Sequence, residues 1–191
     1  MRASVEAMTS LAPDGTFSFE VVRQDGSALI RNRVLLPALE TEQRSRNEHQ
    51  LADSALTPAN YEFRLDRAIH EDGMATIRLF PRRQTPMLLS GTVTVRQHDG
   101  DIVRIDGSPA TLPSWWTEDV FIVRRYARIA GVRVPMEMAS RANVRIAGES
   151  TFWMVYEYQS VNGHSVAAAT ASAGATPHGS APAETGTGPL W

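Results

Sequence analysis

Six glycine-bearing turn signals punctuate the chain: Asp14-Gly15, Asp25-Gly26, Asp72-Gly73, Asp99-Gly100, Ala130-Gly131 and Ala147-Gly148. They constrain the fold more than any other feature. Such pairs supply the positive φ that tight hairpins require, and the segments between them alternate apolar and polar residues over ordinary strand lengths. Strands are expected near 16–23, 60–69, 74–81, 87–97, 101–108, 118–129, 132–145 and 149–160, after a short leader at 1–15. Arg33 to Ala52 breaks the alternation: Leu35, Leu36 and Leu39 precede a polar run, and Pro37 suits the first turn of a helix, where its missing N–H is no loss. The expected fold is mainly β with one or two helices, an antiparallel meander forming one domain over 16–163.

After Gly163 the chain turns to Ala, Ser, Thr, Gly and Pro, with Glu184 its one Asp, Glu, Lys or Arg. Such a composition buries too little surface to offset the entropy of ordering, so 164–191 reads as a disordered tail. At 191 residues, 42% of them hydrophobic, the length suits one domain with a core. A net charge of -2 gives no positive field to attract nucleic acid. Cysteine is absent, which excludes disulfides and thiolate chemistry. No segment has the apolar run of a secretory signal or the roughly 20 apolar residues of a membrane span, so the chain as written reads as soluble and unexported.

Alternation through the last strands gathers apolar side chains. Val132, Val134, Met136 and Met138 point one way, and Phe152, Met154, Tyr156 and Tyr158 fall on one face of the next strand. Methionine is unbranched and polarizable, so such a face can adapt to an irregular partner such as an acyl chain. Two readings are open, a packed, helix-covered core and a ligand-accepting cavity. The strand at 118–129 is apolar on both faces, which suggests a central position covered on both sides. Pro113-Ser114-Trp115-Trp116 sets two indoles in the connection leading to it, where they either cap a barrel end or line its mouth.

Catalytic arrangements are hard to find. His98-Asp99-Gly100-Asp101 has ligand-type residues, but hairpin chemistry explains them. Glu118 and Asp119 are adjacent and face opposite ways in a strand, which does not suit a cooperating acid and base. His49, His70, His164 and His178 are scattered, and no metal spacing appears. No enzyme activity and no cofactor are expected.

Three segments together resemble a known family: Leu56-Thr57-Pro58-Ala59-Asn60-Tyr61-Glu62-Phe63; Val103-Arg104-Ile105-Asp106-Gly107 running to Pro113-Ser114-Trp115-Trp116; and Val123-Arg124-Arg125-Tyr126 with Val132-Arg133-Val134-Pro135. In order and spacing, over about 16–162, they resemble uncharacterised bacterial proteins related to the outer-membrane lipoprotein-sorting carriers of the LolA/LolB-like superfamily. The resemblance implies an unclosed antiparallel half β-barrel with helices in its concave side, a periplasmic location, and a cavity that shields lipoprotein acyl chains without covalent chemistry. Relatives of this kind begin with an export signal, a long helix and further strands, whereas here a short leader stands in their place. A half-barrel truncated at its N-terminus is one expectation that follows.

The expected function is thus a non-enzymatic envelope protein that binds a hydrophobic or lipid-bearing ligand. Its lining would be Val134, Met136, Met138, Phe152, Met154 and Tyr156, with Trp115 and Trp116 at the mouth. The alternative is an interaction or envelope-sensing module with a packed core, no lipid, and a protein partner at exposed strand edges.

Overall fold

The computed structural model describes residues 1–47, 51–67, 73–112, 115, 117–145 and 148–166. Its main element is one antiparallel sheet of seven strands in sequence order: β3 (Tyr61–Arg67), β4 (Met74–Pro81), β5 (Leu89–Arg96), β6 (Ile102–Pro109), β7 (Thr117–Ile129), β8 (Val132–Val144) and β9 (Gly148–Val155). The first and last strands do not pair with each other, so the meander stays an open sheet. A separate hairpin of β1 (Ala3–Leu11) and β2 (Phe17–Gly26) precedes it, and a small one of β10 (Ser160–Val161) and β11 (His164–Ser165) follows.

The turns follow from the signals in the sequence. Gly15, Gly73, Gly100 and Gly148 all take positive φ. Between β7 and β8 both Ala130 (φ 48°) and Gly131 (φ 77°) do so, the pattern of a type I′ turn, whose twist matches that of the strands it joins. Gly91 and Gly107 face each other across β5 and β6 for a different reason. A Cβ on Gly91 would lie 2.0 Å from the Asp106 carbonyl oxygen, and one on Gly107 2.3 Å from that of Ser90. The close approach of the two backbones therefore excludes any side chain.

Three expectations are corrected. The leader at 1–15 contains a strand, because β1 pairs with β2 from Ala3–Gly26 to Leu11–Phe17. The last long strand ends at Val155 rather than 160, and His164–Ser165 turns back on β10, so the ordered chain runs past 163. The rest of the proposed tail, 167–191, lies outside the described residues. The helix begins earlier than Arg33, with α1 (Ala28–Ile30), a π-helical turn (Arg31–Leu35) and α2 (Leu36–Asn47), and the short α3 (Leu51–Ser54) follows. Pro37 sits inside this helical path. It has no N–H to give to Arg33, and the preceding turn widens so that the Leu36 N–H bonds instead to the Arg31 carbonyl, a local π adjustment of the kind that lets a helix absorb an irregularity.

Helix α2 packs chiefly on β2, and the π turn on β1. The Gln43 Nε2 donates to the Phe17 carbonyl at 3.2 Å. The resemblance implied helices seated in the concave side of the sheet; the main helical contacts are with the N-terminal hairpin. No helix among the described residues is long and apolar enough to cross a membrane.

The core lies on one face of the sheet, where Tyr61, Leu79, Val93 and Ile105 meet Leu88 and Leu89. Leu79 and Leu88 are fully enclosed. At roughly 1.5–3 kcal/mol for each fully buried side chain of this size, the cluster is the main store of stability around β3–β6.

Candidate functional site

Strand register divides the seven-stranded sheet into two unlike faces. Glu62, Arg78, Thr92 and Asp106 fall on one side, where Arg64–Glu62 (2.8 Å), Arg78–Asp66 (2.9 Å), Arg104–Asp106 (2.8 Å) and Arg141–Glu149 (3.2 Å) pair in ion contacts. The Arg64 guanidinium also stacks 4.6 Å from the Phe80 ring centre. Exposed pairs of this kind add little stability each, but they mark a solvated face. The opposite side carries Leu79, Val93, Ile105 and Ile122; its rows continue from Ile105 through the exposed Arg124 to Met138 and Met154, and from Ile122 through Ser140 to Phe152.

The apolar face is enclosed at one end and partly open at the other. Around Tyr61 and β4–β6 it is the buried core, although Phe63 and Leu65 on the same face of β3 are 39% and 65% exposed. On β8 and β9, Met136, Met138, Phe152, Met154 and Tyr156 are only half-buried. The alternation expected of β9 is present, with Phe152 and Met154 on one side and the exposed Trp153 and Val155 on the other.

Val134 is a correction. It is buried, at 8% exposure, but a bulge on the β7–β8 ladder puts it out of step with its expected companions. Met138 pairs with Arg124 and Val134 with Ala127, partners an odd number of residues apart, so one extra residue reverses the face. Trp115 is 74% exposed just before β7, while Trp116, Pro113 and Ser114 lie outside the described residues. β7 is an interior strand, as expected, but it is not covered on both faces: Phe121 is exposed on the polar side and Val120 is buried. A shallow pocket of about 320 Å³ lies on the N-terminal hairpin, lined by Ser4, Val5, Glu6, Arg23 and Asp25; among the described residues none of the expected lining borders it.

Two polar joints hold the sheet in shape, and sequence reasoning passed over both. Asn60 is buried and fully engaged. Its Nδ2 donates to the carbonyls of Ala52 and Ala55, each at 2.9 Å, and its Oδ1 accepts from Arg83 at 2.7 Å. Beside it, the Leu89 N–H donates to the Tyr61 hydroxyl at 3.0 Å, and burial pushes that hydroxyl's pKa up. Asn60 and Tyr61, part of the first motif of the resemblance, thus tie α3 and β3 to the start of β5.

The second joint is Asp101, whose side chain is 5% exposed. Arg128 grips it with Nε at 2.6 Å and Nη2 at 2.5 Å, and donates through Nη1 to the Gly131 carbonyl at 2.8 Å. The bidentate bond from Arg128 holds the Asp101 carboxyl below its ordinary pKa, as charge-assisted pairing does. Asp99 accepts the Asp101 N–H at 3.0 Å and a bond from Arg96 at 3.0 Å. The His98-Asp99-Gly100-Asp101 sequence is therefore a hairpin turn with its carboxylates already engaged, as the turn reading expected. Of the other histidines, His164 lies in β11, and His49, His70 and His178 lie outside the described residues.

The arrangement offers a surface that can take up apolar groups, braced by polar contacts on its far side and at its ends. No protein-family model, no curated protein and no solved structure matches this chain, so nothing in those comparisons links it to the lipoprotein-sorting superfamily.

Proposed function

We propose that this chain is a non-enzymatic binding protein that takes a hydrophobic or lipid-bearing ligand on the open part of its apolar sheet face. One observation carries the reading: Met136, Met138, Phe152, Met154 and Tyr156 gather on the apolar side of the sheet and are only half-buried, whereas Leu79, Val93 and Ile105 of β4–β6 on that side are enclosed. Burial of that surface against an acyl chain would contribute about 25 cal/mol per Å² removed from water. The unbranched methionines can adjust to chains of different shape. The envelope as the place of action is the part of the proposal that rests on the three motifs alone.

The test is a titration of the full chain with a dansyl-labelled fatty acid, beside the double variant Met136→Asp and Met154→Asp. Two carboxylates in the lining abolish saturable binding if the face is the site, while circular dichroism reports whether the sheet is intact. Unchanged uptake by a folded double variant sinks the proposal.

A further inference from the structure

The two edges of the seven-stranded sheet are built differently. At one edge, β3 reads Tyr-Glu-Phe-Arg-Leu-Asp-Arg, with charge at every second position and a register shift between Leu65 and Arg67. Charges and bulges are the usual protection of an edge against pairing with another chain. At the other edge, β9 reads Gly-Glu-Ser-Thr-Phe-Trp-Met-Val. It has no proline, lysine or arginine and no register shift, and its single charge, Glu149, is drawn to Arg141 at 3.2 Å. Among the described residues no strand pairs with its outer side; on the polar face of the sheet Trp153 is 71% and Val155 56% exposed.

The direction of the free backbone groups follows from the ladder. The Tyr156 N–H donates to the Met136 carbonyl at 3.0 Å, and the register back to Gly148 is regular. Even-numbered residues of β9 therefore bond to β8, while Glu149, Thr151, Trp153 and Val155 direct N–H and C=O outward. We infer that this edge pairs with β9 of a second copy of the chain, antiparallel about a two-fold axis through Phe152.

Self-complementarity selects that partner and that register. Only outward residues can bond to outward residues, which puts the axis on a residue and not between two, and near the middle of β9 that leaves Thr151, Phe152 or Trp153. An axis at Trp153 sets Glu149 against the Glu157 of its twin, a like-charge pair, and an axis at Thr151 leaves Val155 beyond the matched strands. An axis at Phe152 joins Glu149 to Val155 and Thr151 to Trp153 in both directions, giving about eight interchain hydrogen bonds. It also sets Phe152 ring against Phe152 ring, and Met154 beside Ser150, on the apolar face. The contact is isologous, as closed two-fold dimers require, and it makes one sheet of fourteen strands. This inference does not depend on the ligand proposed above.

Sedimentation equilibrium on the full chain should show a monomer–dimer equilibrium. Thr151→Pro removes an outward N–H without touching the β8 ladder and should weaken the dimer about thirty-fold through its two symmetric copies. The chain has no cysteine, so Phe152→Cys adds a single thiol. Facing its twin in a non-hydrogen-bonded pair, roughly 4.5 Å apart at Cα, that thiol should cross-link on mild oxidation. Ser150→Cys, opposite Met154, should not. A wild-type chain that stays monomeric at every concentration overturns the inference, even if an added extended peptide binds the edge. So does a dimer that forms equally well with Thr151→Pro and fails to cross-link through position 152.

Discussion

The part of the sheet around Leu79 and Leu88 and the part around β8–β9 share one face and one antiparallel ladder, yet they are packed to different depths. In the first, Leu79 and Leu88 are completely enclosed and Tyr61 spends its hydroxyl on the Leu89 N–H. In the second, Met138, Phe152 and Met154 stay half-exposed. The difference shows that stability and availability are divided along the strand order. A fold can hold itself together with one part of a surface and leave the remainder for contact with something else, because apolar burial is additive and local.

Substitution of single side chains would sharpen that contrast. Leu79→Ala should destabilise the chain by about 2–5 kcal/mol, since removal of an enclosed leucine leaves a cavity that cannot collapse fully. Met154→Ala should stay below about 1 kcal/mol because its surroundings already meet solvent. Urea midpoints at constant m-value measure both, and equal losses would break the comparison. Tyr61→Phe comes between them: it strands a buried N–H and should lose about 1–3 kcal/mol, read in the same titration.

The smallest expected effect is a dependence on acid. Asp101 has a lowered carboxyl pKa in the folded chain because Arg128 bonds to the ionised form. Its contribution is therefore complete above the ordinary carboxylate value and is lost as pH falls through the lowered folded value. Stability measured between neutral pH and pH 3 should fall less steeply in Asp101→Asn than in the parent chain. Parallel curves would mean that the pair does not link the hairpin ends as described.

The meander was legible in the sequence because its signals are local. An Asp-Gly or Ala-Gly pair carries its positive φ with it, and alternation marks extended backbone wherever it occurs. What escaped was set by partners distant in sequence. Ala3, Ser4, Ala7 and Ser10 have weak strand preference, and β1 exists because β2 is there to pair with. Pro37 read as a helix start because the π turn that accommodates it has no residue signature. The alternation of Tyr156 and Tyr158 suggested a longer strand, but the pairing with β8 goes no further than the Tyr156 N–H on the Met136 carbonyl. Val134 was assigned to the wrong face because a bulge inserts one residue without any mark in composition. For the site, the half-open face was visible through Met138, Phe152 and Met154. The buried roles of Asn60 and Asp101 were not, since a polar residue at a turn looks the same whether its neighbours enclose it or leave it in water.

The grip of Arg128 on Asp101 has a consequence for how the molecule comes apart. Arg128 belongs to β7 and Asp101 to the turn between β5 and β6, so the pair fastens the better-packed strands to the more exposed ones at one end of the sheet. Opening β7 and β8 from that end requires pulling Arg128 away from a nearly buried carboxylate. Fraying is thereby directed to the opposite end, near Thr117 and Val144, and slow amide exchange should persist furthest along β7 toward Arg128. The less deeply packed strands thus borrow cooperativity from the core they are attached to.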